Sequence, residues 1–244
     1  GNSGAPNFAE RAFQFENCKS VILRPELFNY LAAGESITGG NQDVHDPSLV
    51  NNFTSTAIVI QNCLNVEIRG KYRNNGSEIT FIRDTNATGS KVSELTFHAR
   101  CDDNHRSHTW FMLKNAQVLP SLFTKHEASP INAFSDNQII DSPIIDFVNA
   151  SHGIDLSEGS ILTRNVQITT PMIYNVDDSA IYALTVGLKV IGGIIEGADY
   201  GIRNRLAAGD TALDAPGDTL IDGVTVRNVN IGAIDVTGKR NIPE

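Results

Sequence analysis

The 244-residue sequence predicts an all-β chain whose short strands stack as a solenoid, and three observations carry that expectation. The first is alternation. In Ile58-Val59-Ile60-Gln61-Asn62-Cys63-Leu64-Asn65-Val66-Glu67-Ile68-Arg69-Gly70, apolar residues at 58 and 60, then at 66 and 68, alternate with polar ones, the period of a half-buried strand. The second is the corner at Asn62-Cys63, since a short polar Asn side chain tolerates a left-handed backbone. The third is recurrence. An apolar residue, any residue, Asn and a small residue return as Phe15-Glu16-Asn17-Cys18, Leu113-Lys114-Asn115-Ala116, Phe147-Val148-Asn149-Ala150, Ile173-Tyr174-Asn175-Val176 and Val226-Arg227-Asn228-Val229. Counting Asn62, the Asn-to-Asn gaps are 45, 53, 34, 26 and 53 residues. Most lie near one or two multiples of roughly 22 to 27, the length of one three-strand repeat, and the fourth-longest fits one repeat with an insertion.

The phrase Val59-Ile60-Gln61-Asn62-Cys63-Leu64-Asn65-Val66-Glu67-Ile68 and its echoes resemble the right-handed parallel β-helix of pectate lyases, polygalacturonases and phage tailspikes. The resemblance implies a single-stranded right-handed parallel β-helix with about eight to ten coils, one domain over residues 1–244, about 40 to 50 Å long at roughly 4.8 Å per rung. Its interior would hold Val, Ile, Leu and Phe with an Asn ladder at one corner. No catalytic motif comes with the resemblance. The polygalacturonase succession of Asn-Thr-Asp, Asp-Asp, Gly-His-Gly and Arg-Ile-Lys is not met. Asp177-Asp178 is present, but no Asn-Thr-Asp precedes it, Ser151-His152-Gly153 comes before it, and no Arg-Ile-Lys follows.

Composition bounds the partners. Hydrophobic residues make up 41% and charged residues 19%, a globular balance in a chain long enough for a sizeable core. A net charge of −9 argues against nucleic acid, which needs a basic stripe, and favours neutral over anionic glycans. No apolar run is long enough for a membrane span, and no signal peptide opens the sequence. Cys18, Cys63 and Cys101 suit small packing residues of a reducing compartment rather than a disulfide framework, and their spacing makes no zinc site. No metal or cofactor is expected. The Asn-x-Ser/Thr sequons at Asn52, Asn75, Asn86 and Asn149 read as chance matches, Asn149 falling on an expected interior corner.

Taken in order, strands are expected from Phe13, then over 57–60, 65–69, 78–83 and 92–98, with turns at Asn74-Asn75-Gly76 and Ala87-Thr88-Gly89. Pro25 to Gly34 suits a short helix, with Pro at its start and Gly at its end. Residues 101–108 read as a polar turn leading to a strand at Trp110. Later strands include Val166-Gln167-Ile168 and Val186 to Val190, with 207–218 as an inserted loop and a last full coil over Leu220 to Ile234.

Two acidic stretches are candidates for chemistry. Glycosidic hydrolysis needs two carboxyl groups flanking the bond, whereas elimination needs a base and a cationic group. Asp102, Asp103, His105, Arg106 and His108 bring such groups together, and Trp110 offers a sugar-stacking ring; a solvated loop has the same composition. Asp177 and Asp178 follow Asp155 and Glu158 by about one repeat, so neighbouring rungs would pair their carboxylates, with Arg203 one repeat further on; the bland alternatives, an Asp-rich turn and a surface Arg, are the commoner ones for such residues. His98, His126 and His152 stand alone and read as surface or strand residues. The function these features favour is a tailspike-like module that binds, and in its enzymatic form depolymerises, a bacterial surface polysaccharide. It would sit on a virion or outside the cell, with a homotrimer covering its ends. A secreted polysaccharide lyase or glycoside hydrolase and a non-enzymatic fibre segment are the alternatives.

Overall fold

A computed structural model describes residues 13–16, 18–24, 26–28, 58–61, 63, 65–73, 80–83, 94–104, 109–112, 116–126, 129–133, 136–149, 151–157, 163–205 and 218–236. Among these every regular element is a strand, and every strand pairing is parallel. Alternating β-branched residues suit this arrangement, because Val and Ile pack well on a pleated surface.

Three ladders account for nearly all pairings. The first ladder joins β1 (Phe13–Glu16), β4 (Ile58–Gln61), β6 (Thr80–Arg83), β8 (Thr109–Met112), β11 (Ile131–Ala133) and β14 (Ile154–Leu156). It continues through the later halves of β17 (Met172–Ala183), β20 (Ile194–Asn204) and β22 (Thr225–Val236). The second ladder includes β2 (Ser20–Leu23), β9 (Ala116–Val118), β12 (Ile139–Asp141), β16 (Gln167–Thr169), β19 (Lys189–Ile191) and β21 (Leu220–Asp222). The third contains β3 (Glu26–Phe28), β10 (Leu122–His126), β13 (Ile144–Val148) and the first halves of β17, β20 and β22. Strands β5 (Asn65–Arg73) and β7 (Glu94–Asn104) run from the second ladder into the third.

Partner residues stand a near-constant distance apart in sequence. Leu122 pairs with Ile144, Gln167 with Lys189 and Met172 with Ile194, each 22 residues on. Longer offsets, such as 28 from Ile144 to Met172 and 31 from Ile194 to Thr225, mark extra residues between strands. Parallel partners cannot be joined by a tight hairpin, so each step passes through strands of the other two ladders. The inward side chains stack layer on layer. Ile68, Val118, Ile140, Ile168 and Val190 are buried in the second ladder, and Phe123, Ile145, Ile173 and Ile195 in the third. Each such side chain contributes about 1.5–3 kcal/mol.

Left-handed residues mark the corners. Asn137, Asn165, Gly187 and Asp218 precede the second ladder, with φ of 56°, 56°, 76° and 52°. Ser142, Thr170, Gly192 and Gly223 follow it, with φ of 47°, 42°, 66° and 65°. In the third ladder the position is held by Phe147, Asn175, Gly197 and Asn228, with φ of 68°, 54°, 71° and 52°. Asn and Gly are the residues that take this backbone cheaply. Asn175 Nδ2 donates to Asp146 Oδ1 at 2.9 Å and Asn228 Nδ2 to Glu196 Oε1 at 2.8 Å, each tying a corner to the previous layer.

Four expectations are corrected here. Asn149 is not the corner. Asp146 and Val148 pair with Tyr174 and Val176, so Phe147 lies opposite Asn175, and Asn149 is exposed two residues further on. The corner asparagines Asn175 and Asn228 are exposed rather than interior, because their amides reach carboxylates on the outer face. In place of a helix starting at Pro25, Glu26–Phe28 is a strand, its pairing with Lys71, Tyr72 and Arg73 overriding the helix-start signal. Residues 101–104 close β7 rather than forming a loop, since Asp102 pairs with Arg73 and Thr124. Cys63 is buried and Cys18 packs against the same core, its N–H directed at Cys63 Sγ at 3.4 Å, while Cys101 lies within β7 opposite Phe123. The corners at Asn17, Asn62 and Asn115, the turns at 74–76 and 87–89, and residues 207–217 of the expected loop lie outside the described residues.

Phe147 is a bulky residue at a position otherwise held by Asn and Gly, and it is 59% exposed. Little packing offsets the left-handed backbone. Phe147→Asn is therefore expected to stabilise the protein by about 1 kcal/mol. A rise in the urea midpoint at unchanged slope is the sign to look for; a lower midpoint would show that the ring makes a stabilising contact.

Candidate functional site

The first ladder positions the site. Its residues at 154, 156, 181, 183, 202 and 204 are buried, so Asp155, Tyr182, Arg203 and Asp235, which alternate with them and pair in register, project outward. The same register runs back through Asn132 to Trp110 and Phe81. The ladder thus lines up, one strand after another, residues separated by more than 120 positions in sequence.

Around Arg203 the outward column becomes a network. Arg203 Nη1 lies 3.3 Å from Asp178 Oδ1 and donates to Ser179 Oγ at 3.4 Å. Its Nε is 3.8 Å from Asp235 Oδ2, while Arg205 Nη1 approaches that same oxygen at 3.1 Å. The guanidinium carbon sits 4.2 Å from the centre of the Tyr200 ring and 5.2 Å from that of Tyr182, cation–π range for both. Only 13% of the Arg203 side chain is exposed, and its Nε is buried without a hydrogen-bond partner. A guanidinium has five N–H donors, so this one is well held and incompletely satisfied.

His152 completes the cluster. Its ring stacks on Tyr182 with centroids 4.5 Å apart, and Nδ1 lies 3.6 Å from Asp178 Oδ2. The Ser179 backbone N–H points to the same Nδ1 at 3.4 Å, so the neutral ring carries its proton on Nε2. Burial lowers the His152 pKa below its ordinary value; the carboxylates of Asp155 and Asp178 pull it up less strongly, and Arg203 adds to the lowering. At neutral pH the imidazole is therefore uncharged. Asp178 precedes Ser179, where the register of β17 against β20 slips between Val176 and Ser179, and this irregularity turns its carboxylate toward both His152 and Arg203.

The sequence candidates separate into groups. Asp155, Asp178 and Arg203 come together, with Asp177 exposed beside them. Trp110 lies in register with Asn132, and Asn132 with Asp155, further along the same ladder. Asp102 lies in the third ladder, opposite Thr124, and Asp103 follows it in β7, so this stretch belongs to another face. His105, Arg106, His108 and Glu158 lie outside the described residues. Sequence reasoning passed over His152, Tyr182 and Tyr200. The usable signal was the repeat itself, since Ile154 pairs with Ile181 and the same 27-residue step carries His152 to Ser179.

Among the described residues no cluster of three or more His, Cys, Asp or Glu side chains could hold a metal ion. Among the described residues no helix is long and apolar enough to cross a membrane. No protein-family model, curated protein or solved structure matches the chain.

Proposed function

We propose that the chain is a right-handed parallel β-helix module of the tailspike kind that binds a surface polysaccharide along the outward column of the first ladder. The observation that carries this reading is the register of Trp110, Asn132, Asp155, Tyr182 and Arg203 on consecutive strands. Four steps of about 4.8 Å span about 19 Å, the length of a short run of sugars laid parallel to the stack. Aromatic rings, an amide, a carboxylate and a guanidinium are the groups that stack on sugar faces and bond their hydroxyls. In the enzymatic form of the proposal Asp155 and Asp178, which both bear on His152, supply the two carboxyl groups of a hydrolase. A homotrimer on a virion or outside the cell is the assembly this reading favours.

The position of Asp102 on the third ladder, away from Asp155, favours a second reading, a non-enzymatic fibre segment. One experiment separates the two. Native electrophoresis through gels carrying single capsular or lipopolysaccharide glycans should show retardation by at least one, and Trp110→Ala should weaken it about tenfold, equivalent to about 1.4 kcal/mol. Trp110 is the sole tryptophan, so its emission should shift on binding. Reducing ends and unsaturated products, assayed separately, distinguish hydrolysis, elimination and binding alone. Absence of retardation by every glycan would leave the fibre reading.

A further inference from the structure

We propose that His152 is a proton-operated latch on the irregular segment of β17, so that the site beside it holds its ligand at neutral pH and loosens in acid. This inference rests on the binding site proposed above for its ligand, but the latch itself rests only on the geometry of the chain.

The irregular segment is tied to residues 151–153 by backbone bonds and by the His152 ring. Asp178 N donates to Ser151 O at 3.3 Å, Gly153 N donates to Ser179 O at 3.0 Å, and Ser179 N donates to His152 Nδ1 at 3.4 Å. His152 is fixed on its other side by its own N–H, which donates to Ser129 Oγ at 3.3 Å, and that hydroxyl lies 2.7 Å from Ser151 Oγ. The imidazole thus takes the place of a backbone acceptor in the pairing between 151–153 and 178–179.

A proton entering from solvent must go to Nδ1, because Nε2 already carries one. Two N–H groups then face each other, and the Ser179 hydrogen bond is lost. What the imidazolium gains is Asp178 Oδ2, 3.6 Å away, whose carboxylate already bears on Arg203 through Oδ1. The charged groups facing His152 are Asp155 from β14, Asp178 from β17 and Arg203 from β20, with the Tyr182 ring against its face. Closing the ion pair therefore pulls on the segment that carries Asp178 and on the arginine sandwiched between Tyr182 and Tyr200. Burial of the ring works against the charged form, which sets the change on the acid side of the ordinary histidine range.

The test uses the full chain in two arms. In the first, NMR follows the His152 ring and the Ser179 backbone amide between about pH 5 and pH 8. Both should move with one midpoint, and the Ser179 amide should stay still in His152→Gln, whose side chain takes no proton in this range. A Ser179 amide indifferent to His152, or an equal shift surviving in the variant, overturns the latch whatever the ligand is. In the second arm, retardation by a glycan that binds at about pH 8 should fall about tenfold at about pH 5 in the parent and stay level in His152→Gln. Equal retardation at both pH values in the parent overturns the coupling to binding. If no glycan retards the protein at either pH, the binding-site reading fails, and the amide titration alone then decides whether the latch stands.

Discussion

Gly193→Ala is expected to lower the free energy of unfolding by about 3 kcal/mol or more, the sum of backbone strain and overpacking at one atom. Gly193 has φ of 92°, which an alanine rarely adopts. A methyl group there would also meet the Pro171 carbonyl oxygen within contact distance and stand 2.6 Å from Pro171 Cδ. Neither atom can retreat. Pro171 O accepts the Ile194 N–H at 2.7 Å, and Gly193 O accepts the Thr225 N–H at 3.0 Å, so a shift would break the stacking of three layers. Gly223, at the corner following the second ladder, is the control. Its φ is 65°, but a methyl group there would find its nearest neighbour at 3.8 Å, ordinary contact. Gly223→Ala should therefore cost about 1 kcal/mol, from backbone strain alone. Chemical denaturation of both variants checks the account; equal losses would show that close approach at Pro171 is relieved without cost.

That contrast also shows how far the sequence could be read. Alternation at 58–68 revealed strands because only one face of each is buried, and the structure agrees at Val66 and Ile68. The spacing of Asn residues pointed to a recurring unit, but of the described corners the phrase found only Asn175 and Asn228, which share a position in the third ladder. It passed over Asn137 and Asn165, which stand at the corner before the second. Any residue able to take a left-handed backbone can serve, so Gly187, Ser142, Thr170 and even Phe147 hold corners that an Asn-based phrase cannot find.

The site was legible in part for a related reason. Asp155, Asp178 and Arg203 stood out as charged residues about one repeat apart. His152 looked solitary because its partners are 26 and 51 residues away in sequence, at Asp178 and Arg203, and become neighbours only through strand register. Tyr182 and Tyr200 carried no chemical signal, since an aromatic residue in a strand is as readily core. Their role emerges from the guanidinium between them. Side-chain chemistry reads from sequence more easily than adjacency does, and here the site is made of adjacency.

Arg203→Ala should have the largest effect on the site. Removing one member of a buried ion pair costs about 3–5 kcal/mol, because the remaining charge is left uncompensated. Asp178 is 45% exposed, so water screens part of that loss, and Asp235 keeps Arg205; about 2–3 kcal/mol is the expected cost. Arg203→Lys should recover only part, since a lysine ammonium lacks the planar face that lies against Tyr200 and Tyr182. The pH dependence separates an electrostatic role from mere packing. In the parent, burial holds the His152 pKa below its unfolded value of about 6.5 against the pull of Asp155 and Asp178, and Arg203 adds the smallest part. The unfolded chain thus binds the proton more readily, and stability falls as pH drops from about 6.5 toward the folded pKa. Without Arg203 the ring is better hydrated and loses a neighbouring positive charge, so its titration should move up and the acid-side loss of stability should shrink. Denaturation midpoints of parent and variant at about pH 5 and pH 8 measure both quantities. An unchanged acid-side loss in Arg203→Ala would mean that the arginine is a spacer between two tyrosines and has no electrostatic hold on His152.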